Sequence, residues 1–105
     1  LSSLREEINI FKTKYQEERL AAEAQAQIRA VHTILDSAKF LLGNNRHEDC
    51  MRALQQARDE ASKVGESKYA GLSSVSAFFN EWPKLFQSIE NELNDKLFAI
   101  LVRDA

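Results

Sequence analysis

Residues 1–42 contain neither glycine nor proline, and this absence constrains the fold more than any other feature of the chain. The segment is rich in alanine, leucine, glutamate, glutamine and lysine, which all favour helices. A first apolar stripe, with spacings of four, three and four, consists of Leu4, Ile8, Phe11 and Tyr15. A second stripe, in a shifted frame, runs from Ile28 to Leu42. The pattern predicts one coiled-coil-like helix over about residues 3–42, roughly 60 Å long. The alternative is two helices broken near Ala22 to Ala26.

The segment GNNR, residues 43–46, predicts a turn after this helix. Gly43 suits the left-handed position beyond a helix C-terminus, and Asn44 or Asn45 can cap the next helix. A second helix, over about residues 47–64, is predicted from a stripe of mostly small residues: Cys50, Leu54, Ala57, Ala61 and Val64. Such a stripe lets a neighbouring helix approach closely but buries little area by itself.

The longest apolar stripe of the chain lies in the last third and spans residues 72–100. It contains Trp82, and Pro83 follows at once without breaking the rhythm. A proline inside a helix costs about 3 kcal/mol, because it removes a backbone hydrogen bond and clashes with the preceding turn. Either Asn80 caps a new helix that has Pro83 in its first turn, or one helix bends there. The unbroken stripe favours a bend, and we predict helices over about residues 67–82 and 83–103.

Short connections make consecutive helices antiparallel neighbours. The sequence therefore predicts an all-α fold, a single domain over residues 1–105. It is an antiparallel three- to four-helix bundle with a long coiled-coil-like N-terminal helix and a proline-bent C-terminal helix. Three helices pack together at one end, over about residues 28–42, 47–64 and 68–82. At the other end, the first stripe is expected to face Phe86, Ile89, Leu93 and Leu97 in a two-helix arm.

A two-helix arm leaves one side of its large apolar residues in water. Burying each such side chain is worth about 1.5–3 kcal/mol, so we expect another helix to cover the arm. The predicted partner-binding residues are Leu4, Ile8, Phe11, Tyr15, Leu93, Leu97 and Leu101. Their partner is a protein, either another subunit or a second copy of the chain.

The chain carries no recognisable catalytic motif, so we predict that it is not an enzyme and that it has no cofactor. His47 and Cys50, with His32 in the preceding helix, are the one set that resembles a metal or nucleophile site. Structural zinc sites need four closely spaced ligands, and Cys50 lies on an apolar stripe, where a cysteine behaves as a small hydrophobe. Trp82 with Phe78 and Phe79 could form a peptide groove, although aromatic residues at helical spacing usually belong to the core.

Charge and cysteine content restrict the partners further. Fourteen basic and sixteen acidic residues give a net charge of −2, without a basic patch that would favour nucleic acid. The single cysteine and the lack of a long apolar run predict a cytoplasmic protein without membrane insertion, which can lie at the periphery of membranes. The chain opens on Leu1, and we expect it to be a fragment of a longer polypeptide.

The order of features resembles a known family. A coiled-coil-like entry helix leads into AQIRAVHTILDSAKFLLGNNRHEDCMRALQQARDEASKV, and an aromatic helix ends in LFQSIENELNDKLFAIL. This order is similar to the N-terminal helical regions of multisubunit vesicle-tethering subunits: the Golgi-to-endoplasmic-reticulum tether, the exocyst and the Golgi tethers. The resemblance covers residues 25–100 and implies a non-enzymatic scaffold for protein transport, whose N-terminal helices dock a partner subunit. It rests on a pattern without an invariant residue, so no site is carried over.

A ligand-sensing bundle of a signalling receptor is the alternative function. In that case both chain ends would emerge together towards membrane-spanning helices. A small-molecule pocket would lie near Trp82, Phe79, His32 and Leu35. The nearly neutral net charge and the lone cysteine favour the scaffold.

Overall fold

A computed structural model describes residues 2–104, with side chains placed for residues 3–103. It contains three α-helices, α1 (Ser2–Gly43), α2 (His47–Val64) and α3 (Ser73–Asp104), and a short 3₁₀ helix (Ser67–Tyr69). The predicted all-α class is confirmed, because the described residues include no strand and the helices pack on one another.

Helix α1 is continuous through Ala22 to Ala26, so the alternative with two separate helices is wrong. At 1.5 Å per residue its 42 residues span about 63 Å. This length dominates the shape of the molecule, which measures 81 × 19 × 15 Å.

The turn between α1 and α2 is built differently from the prediction. Asn45, with φ of 61°, takes the left-handed position instead of Gly43, which is the last residue of α1. The amide of Arg46 donates to the carbonyl of Leu41 (2.9 Å), and that of Asn45 donates to the carbonyl of Leu42 (3.1 Å). These two bonds form a Schellman motif, in which asparagine can replace glycine because it tolerates left-handed backbone. Arg46 precedes α2 without a side-chain cap.

Helix α3 is one helix that contains Pro83, as the unbroken stripe favoured, so the division into helices over residues 67–82 and 83–103 is wrong. The predicted start at residue 67 is also wrong, since the 3₁₀ helix occupies residues 67–69. Pro83 lies on the exposed side of α3. The carbonyl of Phe79, which would otherwise accept from residue 83, can therefore bond to water, and this reduces the cost of the proline.

Three contacts establish the helix directions. Gln27 on α1 donates to the carbonyl of Glu60 on α2 (3.2 Å), so the start of the packed part of α1 meets the end of α2. The rings of His32 and Phe78 lie 6.3 Å apart, and Lys96 Nζ donates to the carbonyl of Leu42 (3.1 Å). Helix α2 is therefore antiparallel to α1, and α3 runs parallel to the C-terminal half of α1.

The predicted two-helix arm is wrong, because α3 runs parallel to α1. Helix α3 begins beside the middle of α1 and runs away from the N-terminal half of α1. Its residues Phe86, Ile89 and Leu93 are buried in the main core instead of facing Leu4 and its neighbours. The three-helix section accordingly involves α1 from Leu20 to Leu42 and α3 from Leu72 to Leu97.

Small residues on α2 allow the close packing of α1 against α2. Ala57 and Ala61 are buried along one face of α2, as the apolar stripe predicts, and Ala53, which is not on that stripe, is buried as well. The largest fully buried side chains of the core are Leu42, Ile89, Val31, Val64 and Cys50. Hydrophobic burial of this set is the main stabilising contribution, because the described residues include no buried charged side chain.

Gly71 lies in the connection between α2 and α3 and gives a direct test of its geometry. Its φ of +88° is unfavourable for a residue with a Cβ atom, so Gly71→Ala is expected to lower the free energy of unfolding by about 1–2 kcal/mol. Gly43→Ala is the control: Gly43 has no positive φ, and its added Cβ would meet no atom within 4 Å. That variant should be neutral or more stable by up to about 1 kcal/mol. Equal losses in urea unfolding would contradict the assigned turn geometry.

Candidate functional site

The N-terminal part of α1 projects from the bundle as a single helix. Every residue from 3 to 19 is exposed, and the first residue of α1 that packs on the core is Leu20. We call residues 3–19 the N-terminal arm. It is about 25 Å long at 1.5 Å per residue.

One face of the arm is apolar. Leu4, Ile8, Phe11 and Tyr15 follow helical spacing, so their side chains lie along one stripe. They are between 48% and 72% exposed. An apolar stripe in a soluble helix is normally covered, because burial of each of these side chains would contribute about 1.5–3 kcal/mol.

Continuity with the bundle explains how the arm can be helical without a neighbour. Starting a helix is costly, but extending an existing one adds a hydrogen bond for each residue that is fixed. The arm therefore extends from Leu20, where packing has already ordered the backbone. Helices of about this length are marginal in water by themselves, so a partner that covers the stripe would also stabilise the helix.

Charged residues flank the stripe unequally. In heptad terms Ile8 and Tyr15 occupy a positions and Leu4 and Phe11 occupy d positions. The edge at the e positions is entirely basic and consists of Arg5, Lys12 and Arg19. The opposite edge, at the g positions, is mixed and includes Glu7 and Lys14, and Glu18 occupies the next d position after Phe11. Within the arm and its neighbours the described ion pair is Arg19 with Glu23, at 3.5 Å.

The seven predicted partner-binding residues lie in three places. Leu4, Ile8, Phe11 and Tyr15 are on the N-terminal arm. Leu93 is only 3% exposed and belongs to the core, so its side chain is not available to a partner. Leu97 is half-buried against the core. Leu101 is exposed at the opposite end of the molecule. Because α1 and α3 are parallel, the seven residues cannot form one surface.

A second exposed apolar surface lies at the end of α3. It consists of Phe98, Ile100, Leu101 and Val102. The sequence pattern places Phe98 and Leu101 beside the main stripe but does not show that the core ends at Leu97. We call these four residues the C-terminal patch. It covers little more than one helical turn, which makes it a smaller docking surface than the arm.

Two further exposed apolar residues lie outside the predicted stripes. Ile10 lies on the arm, opposite the stripe, and Phe40 lies on α1 beside Thr33 and Ser37. Both residues are off the heptad positions, and this is the signal that could have identified them. A large apolar residue off the buried face of a helix is expected to be exposed.

Of the aromatic residues near Trp82, Phe78 and Phe86 are part of the core, whereas Phe79 is exposed. Trp82 is half-buried, its ring stacks on Phe78 at 6.0 Å, and the ring of Phe86 meets it edge-on at 5.5 Å. A groove of about 410 Å³ lies between α1 and α3, but its lining residues include His32 and Phe78 and not Trp82, Phe79 or Leu35. The pocket required by the receptor alternative is therefore not formed as predicted.

Cys50 is completely buried and is a free thiol. Burial raises its pKa above the ordinary value, and the nearby carboxylate of Glu92 adds to this while Lys96 opposes it. The neutral thiol is a poor nucleophile and a poor metal ligand. Over the described part of the chain, no three histidine, cysteine or carboxylate side chains converge closely enough to hold a metal ion.

Among residues 2–104 no helix has the length and apolar character needed to cross a membrane. No known protein family, curated protein or solved structure matches this chain. The resemblance to vesicle-tethering subunits therefore stays a prediction from the sequence pattern.

Proposed function

We propose that this chain is a non-catalytic helical interaction module that docks a partner helix on its N-terminal arm. The observation that carries the proposal is the stripe of four large apolar side chains, exposed along a helix that extends about 25 Å beyond its own core. A chain of this size gains nothing in its own core from such an extension, because no other described element reaches it.

The energetics favour a helical partner. Covering the four side chains yields about 6–12 kcal/mol from this chain's side, at about 1.5–3 kcal/mol each. Association costs about 4–15 kcal/mol in lost freedom, so the partner has to contribute apolar surface of its own. The spacings of four, three and four match the knobs-into-holes packing of a second amphipathic helix. The partner is thus a helix with a similar stripe.

The tethering role belongs to the same proposal and rests on the sequence resemblance. In such a complex the arm would pair with another subunit, while the three-helix section would fix the position of the arm. A cytoplasmic location, at the periphery of membranes, is also part of the proposal and rests on the single free cysteine and the transport resemblance.

The receptor alternative is less compatible with the fold. It requires both chain ends to emerge together, whereas parallel α1 and α3 direct residues 3 and 103 towards opposite ends of an 81 Å molecule. No observation favours it over the interaction module.

Hydrogen–deuterium exchange tests the proposal with a defined probe. The probe is a synthetic three-heptad peptide with isoleucine at a, leucine at d and uncharged glutamine at e and g. In the free chain, amides of the N-terminal arm should exchange much faster than those of residues 24–42, because the arm opens without breaking the core. With the peptide added, protection should increase in the arm alone. Protection confined to residues 98–103 or to the groove between α1 and α3, or no protection at all, would contradict the proposal.

A further inference from the structure

We infer that the partner helix of the N-terminal arm carries acidic side chains beside its apolar stripe. This inference rests on the proposed function and adds the chemistry of the partner to it. It depends on the unequal charges along the two edges of the arm.

The basic edge is available to a partner. Arg5, Lys12 and Arg19 are all exposed and lie at successive e positions, one heptad apart. Residues at e border the apolar seam of a helix pair and face charged residues of the other helix. Arg19 has a neighbour in Glu23, whereas no ion pair within the described residues involves Arg5 or Lys12. A partner with carboxylates along this edge would face three like-signed cations.

A second copy of the chain complements the arm poorly. In a parallel pair each g position faces the e position five residues later, so Glu7 would meet Lys12 but Lys14 would meet Arg19. Glu18 occupies the next d position and would face its own copy inside the seam. In an antiparallel pair e faces e, so the basic edge would face itself. Each arrangement therefore opposes like charges.

An acidic partner avoids most of this repulsion. Along the two edges of the stripe, four basic residues (Arg5, Lys12, Lys14 and Arg19) outnumber one acidic residue, Glu7, and Glu18 adds a second carboxylate at the next d position. This excess exists only beside the stripe, because Glu6 and Glu17 on the remaining surface make the whole arm neutral. A neutral arm has no general attraction for an anionic membrane surface, so the charge pattern fits a narrow helical partner better.

Two synthetic three-heptad peptides test the inference against the full chain. Both have isoleucine at a and leucine at d, and they carry either glutamate or lysine at e and g. We expect the glutamate peptide to bind about tenfold more tightly at 50 mM salt, measured by fluorescence anisotropy, since several weak charge pairs add along the seam. The difference should shrink at 1 M salt, where the Debye length is about 3 Å.

Two charge-reversal variants test whether the basic edge sets the preference between the peptides, and the second of them is the control. Arg5→Glu with Lys12→Glu should reverse the preference, so that the lysine peptide binds more tightly. Lys39→Glu with Lys84→Glu changes the net charge equally at exposed positions outside the arm and should keep the original preference.

The other outcomes separate this inference from the proposed function. If both peptides bind equally, or the lysine peptide binds better, and Ile8→Asp abolishes binding, the docking function holds and the acidic partner is wrong. A stable dimer held by the arm, measured by light scattering, would show that a second copy is the occupant and would overturn the inference. Binding to anionic phosphatidylserine vesicles in place of either peptide would also overturn it. If neither peptide binds and the neutral probe fails as well, the docking function itself is wrong.

Discussion

Ile89→Ala is expected to lower the free energy of unfolding by about 2–5 kcal/mol, the largest effect on stability that we predict. Ile89 is only 1% exposed and lies within the core of the bundle. Truncation removes buried methyl and methylene groups and leaves a cavity, because close-packed neighbours relax only partly. For a domain of this size, such a loss is a large fraction of the total stability. Urea unfolding followed by circular dichroism at 222 nm measures it.

The matched control is Ile100→Ala on the same helix. Ile100 is 39% exposed and lies beyond the last core residue of α3, so the same chemical change should cost less than about 1 kcal/mol. Equal losses in the two variants would mean that the core extends to Ile100. A negligible loss for Ile89→Ala would mean that α3 does not pack on α1 and α2 as described.

The double substitution Ile8→Asp and Phe11→Asp is expected to weaken binding of the neutral helical peptide at least a hundredfold. Each change removes apolar contact area and places a charge in a seam that excludes water, and the two costs add. Stability of the bundle should change by less than about 0.5 kcal/mol, because both residues are exposed and contact no core residue. Fluorescence anisotropy measures the affinity, and urea unfolding measures the stability.

Ile10→Asp serves as the control for this experiment. Ile10 is 68% exposed on the same arm but lies on the side opposite the stripe. The substitution has the same effect on helix propensity as Ile8→Asp and should leave binding within about threefold of the unaltered chain. If Ile10→Asp weakens binding as strongly, loss of arm helicity and not loss of the stripe would explain the result. If the double variant binds normally, the stripe is not the docking surface.

The helical faces of the molecule follow closely from the sequence. Val31, Leu35, Ala38 and Leu42 recur at helical spacing, and all four are buried. Cys50 and Ala57 behave in the same way on α2. Helical spacing predicts these buried residues because side chains three and four residues apart share one face of a helix, whatever that face contacts.

The exact turns and the course of α3 did not follow from the same reasoning. Gly43 seemed the natural left-handed residue, but the Schellman motif uses Asn45, two residues later. The unbroken stripe favoured a bend at Pro83, and Pro83 lies within one helix, but the division into helices over residues 67–82 and 83–103 was wrong. Local preference is a weak constraint on structure, and at Pro83 burial of the stripe from Phe78 to Leu93 favours a continuous helix despite the cost of the proline.

The candidate site was identified only in part. The sequence marked Leu4, Ile8, Phe11 and Tyr15 as an apolar stripe but assigned the wrong intrachain neighbours to it. Helix α2 has 18 residues and returns the chain about 27 Å along α1, to the level of Gln27. From there α3 runs antiparallel to α2 and covers the half of α1 that α2 already covers. The stripe is exposed for this reason.

By itself, the sequence determined the all-helical class and most of the residues that α1 and α2 bury, and it favoured one long α1 over two helices, because these depend on spacing and propensity within one segment. Only the tertiary structure decided which stripes meet each other. An apolar stripe indicates that its side chains are to be buried, but it does not indicate which helix packs against them. That choice depends on the directions and lengths of all three helices together, and these bring Leu42 next to Lys96 and leave Phe11 in water.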